Sequence, residues 1–80
     1  MRARIHVTLK PSVLDPQGQT IQRAIETLGY KGIEDLRQGK YFEVRLTDEL
    51  SRDQAQAFLE EIAAGVLANP VMEEYRVEFD

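Results

Sequence analysis

Arg2-Ala3-Arg4-Ile5-His6-Val7-Thr8-Leu9-Lys10 is a run in which apolar and polar residues alternate without a break. Ala3, Ile5, Val7 and Leu9 point one way, and Arg2, Arg4, His6, Thr8 and Lys10 point the other. A period of two belongs to a strand with one face on a core and the other in water. Pro11 has no N–H to give a ladder and biases Lys10 away from helical geometry, so the strand ends there. A one-sided strand needs a partner layer on one face only, and the rest of the chain should supply it.

Asp15-Pro16 reads as the start of a helix: Asp accepts from the free amides of a first turn, and Pro fits the first helical position. Ile21, Ala24, Ile25 and Leu28 then follow the i, i+3, i+4, i+7 rule of an amphipathic helix, with Gly29 as its C-terminal cap. Alternation returns from Tyr41, with Phe42, Val44 and Leu46 opposite Tyr41, Glu43, Arg45 and Thr47. Ile33 and Leu36 before it break the period. The stretch from Ile33 to Leu46 is either a hairpin turning at Gln38-Gly39 or one long strand bent at Gly39.

A second helix follows. Ser51 with Gln54 is a capping-box pattern, with Leu50 and Ala55 in the staple positions. Ala55, Phe58, Leu59, Ile62, Ala63, Val66 and Leu67 form its apolar stripe, and Pro70 stops it at Asn69. The last strand places Tyr75, Val77 and Phe79 on one face and Glu74, Arg76 and Glu78 on the other. The order β-α-β(-β)-α-β predicts a single α+β domain over residues 1–80. Its form is a ferredoxin-like antiparallel sheet with both helices on one face. Mixed charges remain on the other face, either solvated or set against another sheet.

Composition bounds what such a chain can do. Eighty residues allow one domain, and a chain of that size buries only about 60–65% of its unfolded surface. Its core supplies roughly 3–5 kcal/mol, so a partner or second copy is expected. Leu, Ile, Val and Phe number 22, enough to fold. The formal net charge of −4 disfavours nucleic acid and anionic membranes. No cysteine is present, which excludes disulfides, thiolate nucleophiles and Cys-ligated metals and fits a cytoplasmic setting. No signal-peptide or membrane-span run occurs.

Catalytic sets are missing as well. His6 is the only histidine, so neither a two-His metal site nor a Ser–His pair can be built, and its place on the polar face suits a paired or solvated side chain. Ser12 and Ser51 read as loop and cap residues. Glu60-Glu61 and Glu73-Glu74 diverge on regular elements and read as solvated charges. Gly18, in the first turn of a helix, and Arg37 with Lys40 around Gly39 are faint anion-binding signals. The run Gly39 to Val44 invites comparison with RNA-stacking sheets, but Phe42 belongs on the core face and Glu43 adjoins Tyr41. No catalytic, cofactor-binding or metal-binding residue is expected on this chain.

Four runs carry a resemblance: Leu9-Lys10-Pro11-Ser12-Val13-Leu14-Asp15-Pro16-Gln17-Gly18, Leu28-Gly29-Tyr30, Arg37-Gln38-Gly39-Lys40, and Leu67-Ala68-Asn69-Pro70-Val71-Met72-Glu73. In this order they resemble the PurS family, the small subunit of phosphoribosylformylglycinamidine synthase, over essentially the whole chain. Ser12 stands where many relatives have Gly, and Met72 where Ile is common. The resemblance implies a PurS-like fold completed by dimerisation and a role in the fourth step of purine (IMP) synthesis. There, ATP activates the amide oxygen of formylglycinamide ribonucleotide, and ammonia from glutamine displaces the phosphate.

It further implies a homodimer or larger homo-oligomer that bridges a synthetase and a glutaminase subunit and assists ammonia transfer between them. ATP and Mg²⁺ would reside on the large partner. The candidate partner contacts are Lys10, Asp15, Gln17 and Gly18, then Arg37, Gly39 and Lys40, then Asn69, Pro70 and Glu73. Local rules already account for Asp15 and Pro70 as a helix cap and a helix stop. No local rule asks for Lys10, Gln17, Arg37 or Lys40. Two rival readings are a free-standing ferredoxin-like sensor of an amino acid or nucleotide at a dimer interface and, more distantly, an acylphosphatase-type hydrolase. The second lacks its Gly-rich loop, because Pro11 and Ser12 occupy the turn after the first strand.

Overall fold

A computed structural model describes residues 1–80. Strands β1 (Arg2–Leu9), β2 (Gly39–Arg45) and β3 (Glu73–Phe79) alternate with helices α1 (Pro16–Thr27) and α2 (Arg52–Ile62). A π-helical turn, Ala63–Leu67, prolongs α2. The sheet has the order β2-β1-β3, with β1 antiparallel to both neighbours. The α+β class and the antiparallel sheet predicted from the alternation are both present.

Register follows the pattern of β1. Ile5 pairs with Phe42 on one side and Val77 on the other, and Ala3 with Val44 and Phe79. Ala3, Ile5 and Val7 are fully buried, together with Leu59 and Ala63 from α2 and its π turn. The Ser51 hydroxyl accepts from the Gln54 amide, and the Gln54 side chain accepts from the Ser51 amide, so the capping box is complete. On the polar face, Arg4 lies 3.1 Å from Asp80 and 3.7 Å from Glu78, and Arg2 donates to Asp80 at 2.7 Å. His6 lies 3.7 Å from Glu78 and packs against Tyr41 with ring centres 5.2 Å apart.

Three expectations change. The stretch before Gly39 forms neither a hairpin nor a long bent strand, because residues 28–38 are irregular and β2 starts at Gly39. Gly39 does not make a turn. It pairs with Thr8 in the ladder, and a Cβ there would stand 2.7 Å from the Val7 carbonyl and 2.8 Å from Thr8 Cγ2. Close approach of the backbone, not positive φ, requires this glycine.

The third change concerns the helices. Only α2 lies along the apolar sheet face; α1 packs along neither the sheet nor α2. It begins at the end of the sheet and projects outward, and its C-terminus closes in a Schellman pattern. There Gly29, at φ +99°, donates to Glu26, and Tyr30 donates to Ile25. The molecule therefore measures 51 × 25 × 15 Å with a radius of gyration of 16.1 Å, against about 12 Å for a compact chain of this length.

Candidate functional site

Three of the four runs singled out in the sequence, those that hold the candidate contacts, converge at one end of the sheet. Asp15, the residue before α1, is 5% exposed. Its carboxylate accepts from the Gly18 amide at 3.0 Å and from the Gln38 amide at 2.7 Å. The first bond caps α1; the second fastens the return of the chain, 23 residues later, to the same point. These amides, Gln38 before Gly18, hold the Asp15 carboxyl below the usual carboxylate range, and the positive charge of Arg37 adds to them while burial opposes.

Arg37 reaches back across the same junction, donating to the carbonyls of Val13 at 2.7 Å and Lys10 at 3.2 Å. Gln38 donates through its side chain to Gln17 at 3.0 Å. The base of α1 and the start of β2 are thus laced together by Asp15, Gln17, Arg37 and Gln38. Arg37 and Lys40 do not converge as a phosphate cradle, because each cation is turned onto backbone carbonyls of its own neighbourhood.

The third run is tied in by two lysines. Lys10 donates to the Pro70 carbonyl at 2.8 Å, and Lys40 donates to the Leu67 carbonyl at 3.0 Å while lying 3.6 Å from the Glu73 carboxylate. Within that turn, Asn69 accepts from Val71 at 3.0 Å and donates its amide to Glu73 at 2.8 Å. Lys40 satisfies a carbonyl left free where the π turn stops, and Lys10 satisfies one in the turn that follows it. Glu73 is therefore a working acceptor and not a solvated charge; so is Glu60, which accepts from the Tyr75 hydroxyl at 2.8 Å.

Between the three runs lies a hollow of about 270 Å³, walled by Val7, Leu9, Asp15, Gln17, Gln38, Gly39, Lys40 and Glu73. Five of the ten residues chosen from sequence line it: Asp15, Gln17, Gly39, Lys40 and Glu73. Lys10, Gly18, Arg37, Asn69 and Pro70 stand behind them as tethers. Gln38 went unselected, although its backbone makes the shortest bond to Asp15; a bond made by a main-chain amide leaves no mark on residue type. No three His, Asp or Glu side chains gather as a metal-binding group, and no helix is long and apolar enough to cross a membrane.

The fold and this junction define a class: a small α+β domain whose three-stranded antiparallel sheet ends in a polar, internally cross-braced hollow from which one helix projects. The family model of PurS, phosphoribosylformylglycinamidine (FGAM) synthase, matches residues 2–80. The phosphoribosylformylglycinamidine synthase subunit PurS of Bacillus subtilis is 40% identical over 79 residues, which is 99% of this chain and 92% of that one. The corresponding subunit of Mycobacterium leprae is 43% identical over 76 residues, covering 95% and 91%. A structure of B. subtilis PurS superposes with a TM-score of 0.85 at 38% identity, over 96% of this chain and 94% of that one. A chain in a structure of PurLQS from Thermotoga maritima gives 0.77 at 28% identity, over 96% and 93%. This chain belongs to the PurS family.

Proposed function

We propose that this chain is the PurS subunit of a phosphoribosylformylglycinamidine synthase acting in de novo purine (IMP) biosynthesis. It serves there as a non-catalytic bridge between the synthetase and glutaminase subunits and assists the passage of ammonia. The observation that carries this reading is its whole-length likeness to PurS chains, one of them in a structure of PurLQS. ATP and Mg²⁺ act on the large subunit, and this chain contributes surface and rigidity. A cytoplasmic location and a homo-oligomeric state go with that role.

The hollow at the end of the sheet suits a contact made by shape. Lys10, Arg37 and Lys40 already spend hydrogen bonds on carbonyls of the chain, so their heads are fixed in direction before any partner arrives. A prepaid geometry of this kind lowers the ordering cost of association. The edges of Gln17, Lys40, Asn69, Pro70 and Glu73 are the surfaces offered. Reconstitution tests the role. With the synthetase and glutaminase subunits present, adding this chain should raise glutamine-dependent formation of the amidine product, and all three should co-elute in the presence of glutamine and nucleotide. Equal glutamine-dependent rates with and without the chain would sink the bridging role.

A further inference from the structure

The end of the sheet that carries the hollow also carries apolar side chains that the chain itself leaves uncovered. Leu14 is 68% exposed, Val71 76% and Met72 43%. They sit in or beside two turns, one through Pro11 and Ser12 and one over residues 70–72, where Gly, Asn, Asp and Ser are the usual residues. Leu14 precedes the Asp15 cap, a position from which an apolar residue staples onto the fourth residue of the helix. In α1 that residue is Gln19, so Leu14 has no apolar partner to staple to. Val71 and Met72 follow the helix stop at Pro70, and no helical stripe accounts for them.

The two turns are held as one body. Lys10 ties them twice, since its amide donates to the Met72 carbonyl at 2.9 Å and its ammonium group to the Pro70 carbonyl at 2.8 Å. The Val13 amide closes the first turn onto the Lys10 carbonyl, and Arg37 holds the carbonyls of both. Asn69 closes the second turn by accepting from the Val71 amide. Apolar side chains on turns braced in this way lose little backbone freedom when something covers them. The same bonds leave charge unbalanced. A carbonyl orients a cation without neutralising it, and neither Lys10 nor Arg37 forms an ion pair within the chain. Arg37 acts on the charge of Asp15, but both Asp15 oxygens are taken by the Gly18 and Gln38 amides. A chain of net charge −4 thus presents two fixed cations beside its apolar turns.

We propose that Leu14 and Val71, with Met72 beside them, seat this end of the chain in an apolar pocket of a larger protein subunit, whose rim carries carboxylates that meet Lys10 and Arg37. Shape selects a protein as the occupant, because these side chains project from the turns and enclose no space for a small ligand. Charge selects the acidic rim. A phosphate backbone would meet the two cations but leave the apolar side chains uncovered. An apolar centre with a polar, charged edge is the usual anatomy of a protein–protein contact, and complementary charge at its edge sets orientation and speeds encounter. The inference rests on the proposed bridging role and assigns to it three side chains that the ten candidates do not include. Lys10, Arg37 and Asn69 brace the turns from within; Leu14 and Val71 carry the contact.

Sedimentation of a fluorescent chain with the synthetase and glutaminase subunits, glutamine and nucleotide present, reads its entry into the complex. L14E/V71E should weaken entry by at least about tenfold. R45Q/T47E, which shifts the net charge by the same amount at the opposite end of β2, should stay within about twofold of wild type. Raising the salt from about 0.05 to about 0.5 M should weaken wild-type entry several-fold. A wild type that never enters defeats the bridging role itself. A wild type that enters, matched by L14E/V71E, overturns the anchors and leaves that role standing; entry indifferent to salt overturns the acidic rim. Should circular dichroism show L14E/V71E to be unfolded, Leu14→Cys, Val71→Cys and Thr47→Cys chains of this otherwise cysteine-free protein replace it, each labelled with a benzophenone maleimide before mixing. Irradiation of the complex should join the first two to a catalytic subunit and leave the third free. No cross-link from the first two, or an equal one from Thr47→Cys, rejects the anchors.

Discussion

Asp15 couples two distant parts of the chain through one carboxylate, and the coupling depends on pH. Folding lowers its pKa because two amides donate to the charged form. The unfolded chain therefore binds the proton more tightly than the folded one. The stabilisation is fully present above the unfolded value, near 4, and is lost as pH falls through the lower folded value. Asp80, lowered by the hydrogen bond from Arg2 and then by the charge of Arg4, acts in the same direction. Asp15→Asn keeps one acceptor but turns an N–H₂ toward one of the two donors. We expect it to lower the melting temperature at neutral pH by several degrees and to flatten the acid side of the stability profile. Thermal melts of both proteins from pH 3 to 7 measure this, and parallel profiles would deny Asp15 the coupling role. The ten candidate contacts come from the runs that resemble the PurS family and not from local rules, and the bonds they make within the chain are not legible in those runs. Lys10, Arg37 and Lys40 satisfy carbonyls that only the folded chain brings near, and Gln38 acts through an amide that every residue type carries.

At the scale of elements, legibility followed the strength of local chemistry. β1 and α2 stand where alternation and the capping box put them: the box joins residues three apart, and the alternation of β1 marks its buried face although its ladder partners are distant in sequence. The region from Ile33 to Gln38 fits neither alternative, hairpin or bent strand, because the ladder uses Gly39 for close backbone approach to Val7 and not as a turn or a bend. The apolar stripe of α1 correctly marked a helix, yet periodicity does not say which sheet, or whose, a stripe will meet. Ser51 offers the direct check on local control. Its hydroxyl and the Gln54 side chain satisfy two of the free donors at the start of α2. Ser51→Ala should cost about 1 kcal/mol, a fall of roughly 4–8 °C in melting temperature for a domain of this size, with the fold unchanged. A loss below 1 °C in calorimetry would mean that packing of Leu59 and Ala63 alone holds the helix start.

For the whole molecule, size and shape pull against each other. Only 9 of 80 residues are buried in the single chain, and α1 contributes only Gly18 to them. A chain that puts part of its apolar surface between copies ties its folding to its concentration. Mass action then requires the midpoint of thermal unfolding to rise with protein concentration, since the partner binds the folded state and not the unfolded one. We expect the wild-type midpoint to climb by several degrees over a hundredfold range of concentration. A wild-type midpoint that stays fixed would show that the small core suffices alone, and that the projecting helix is kept for a different chain.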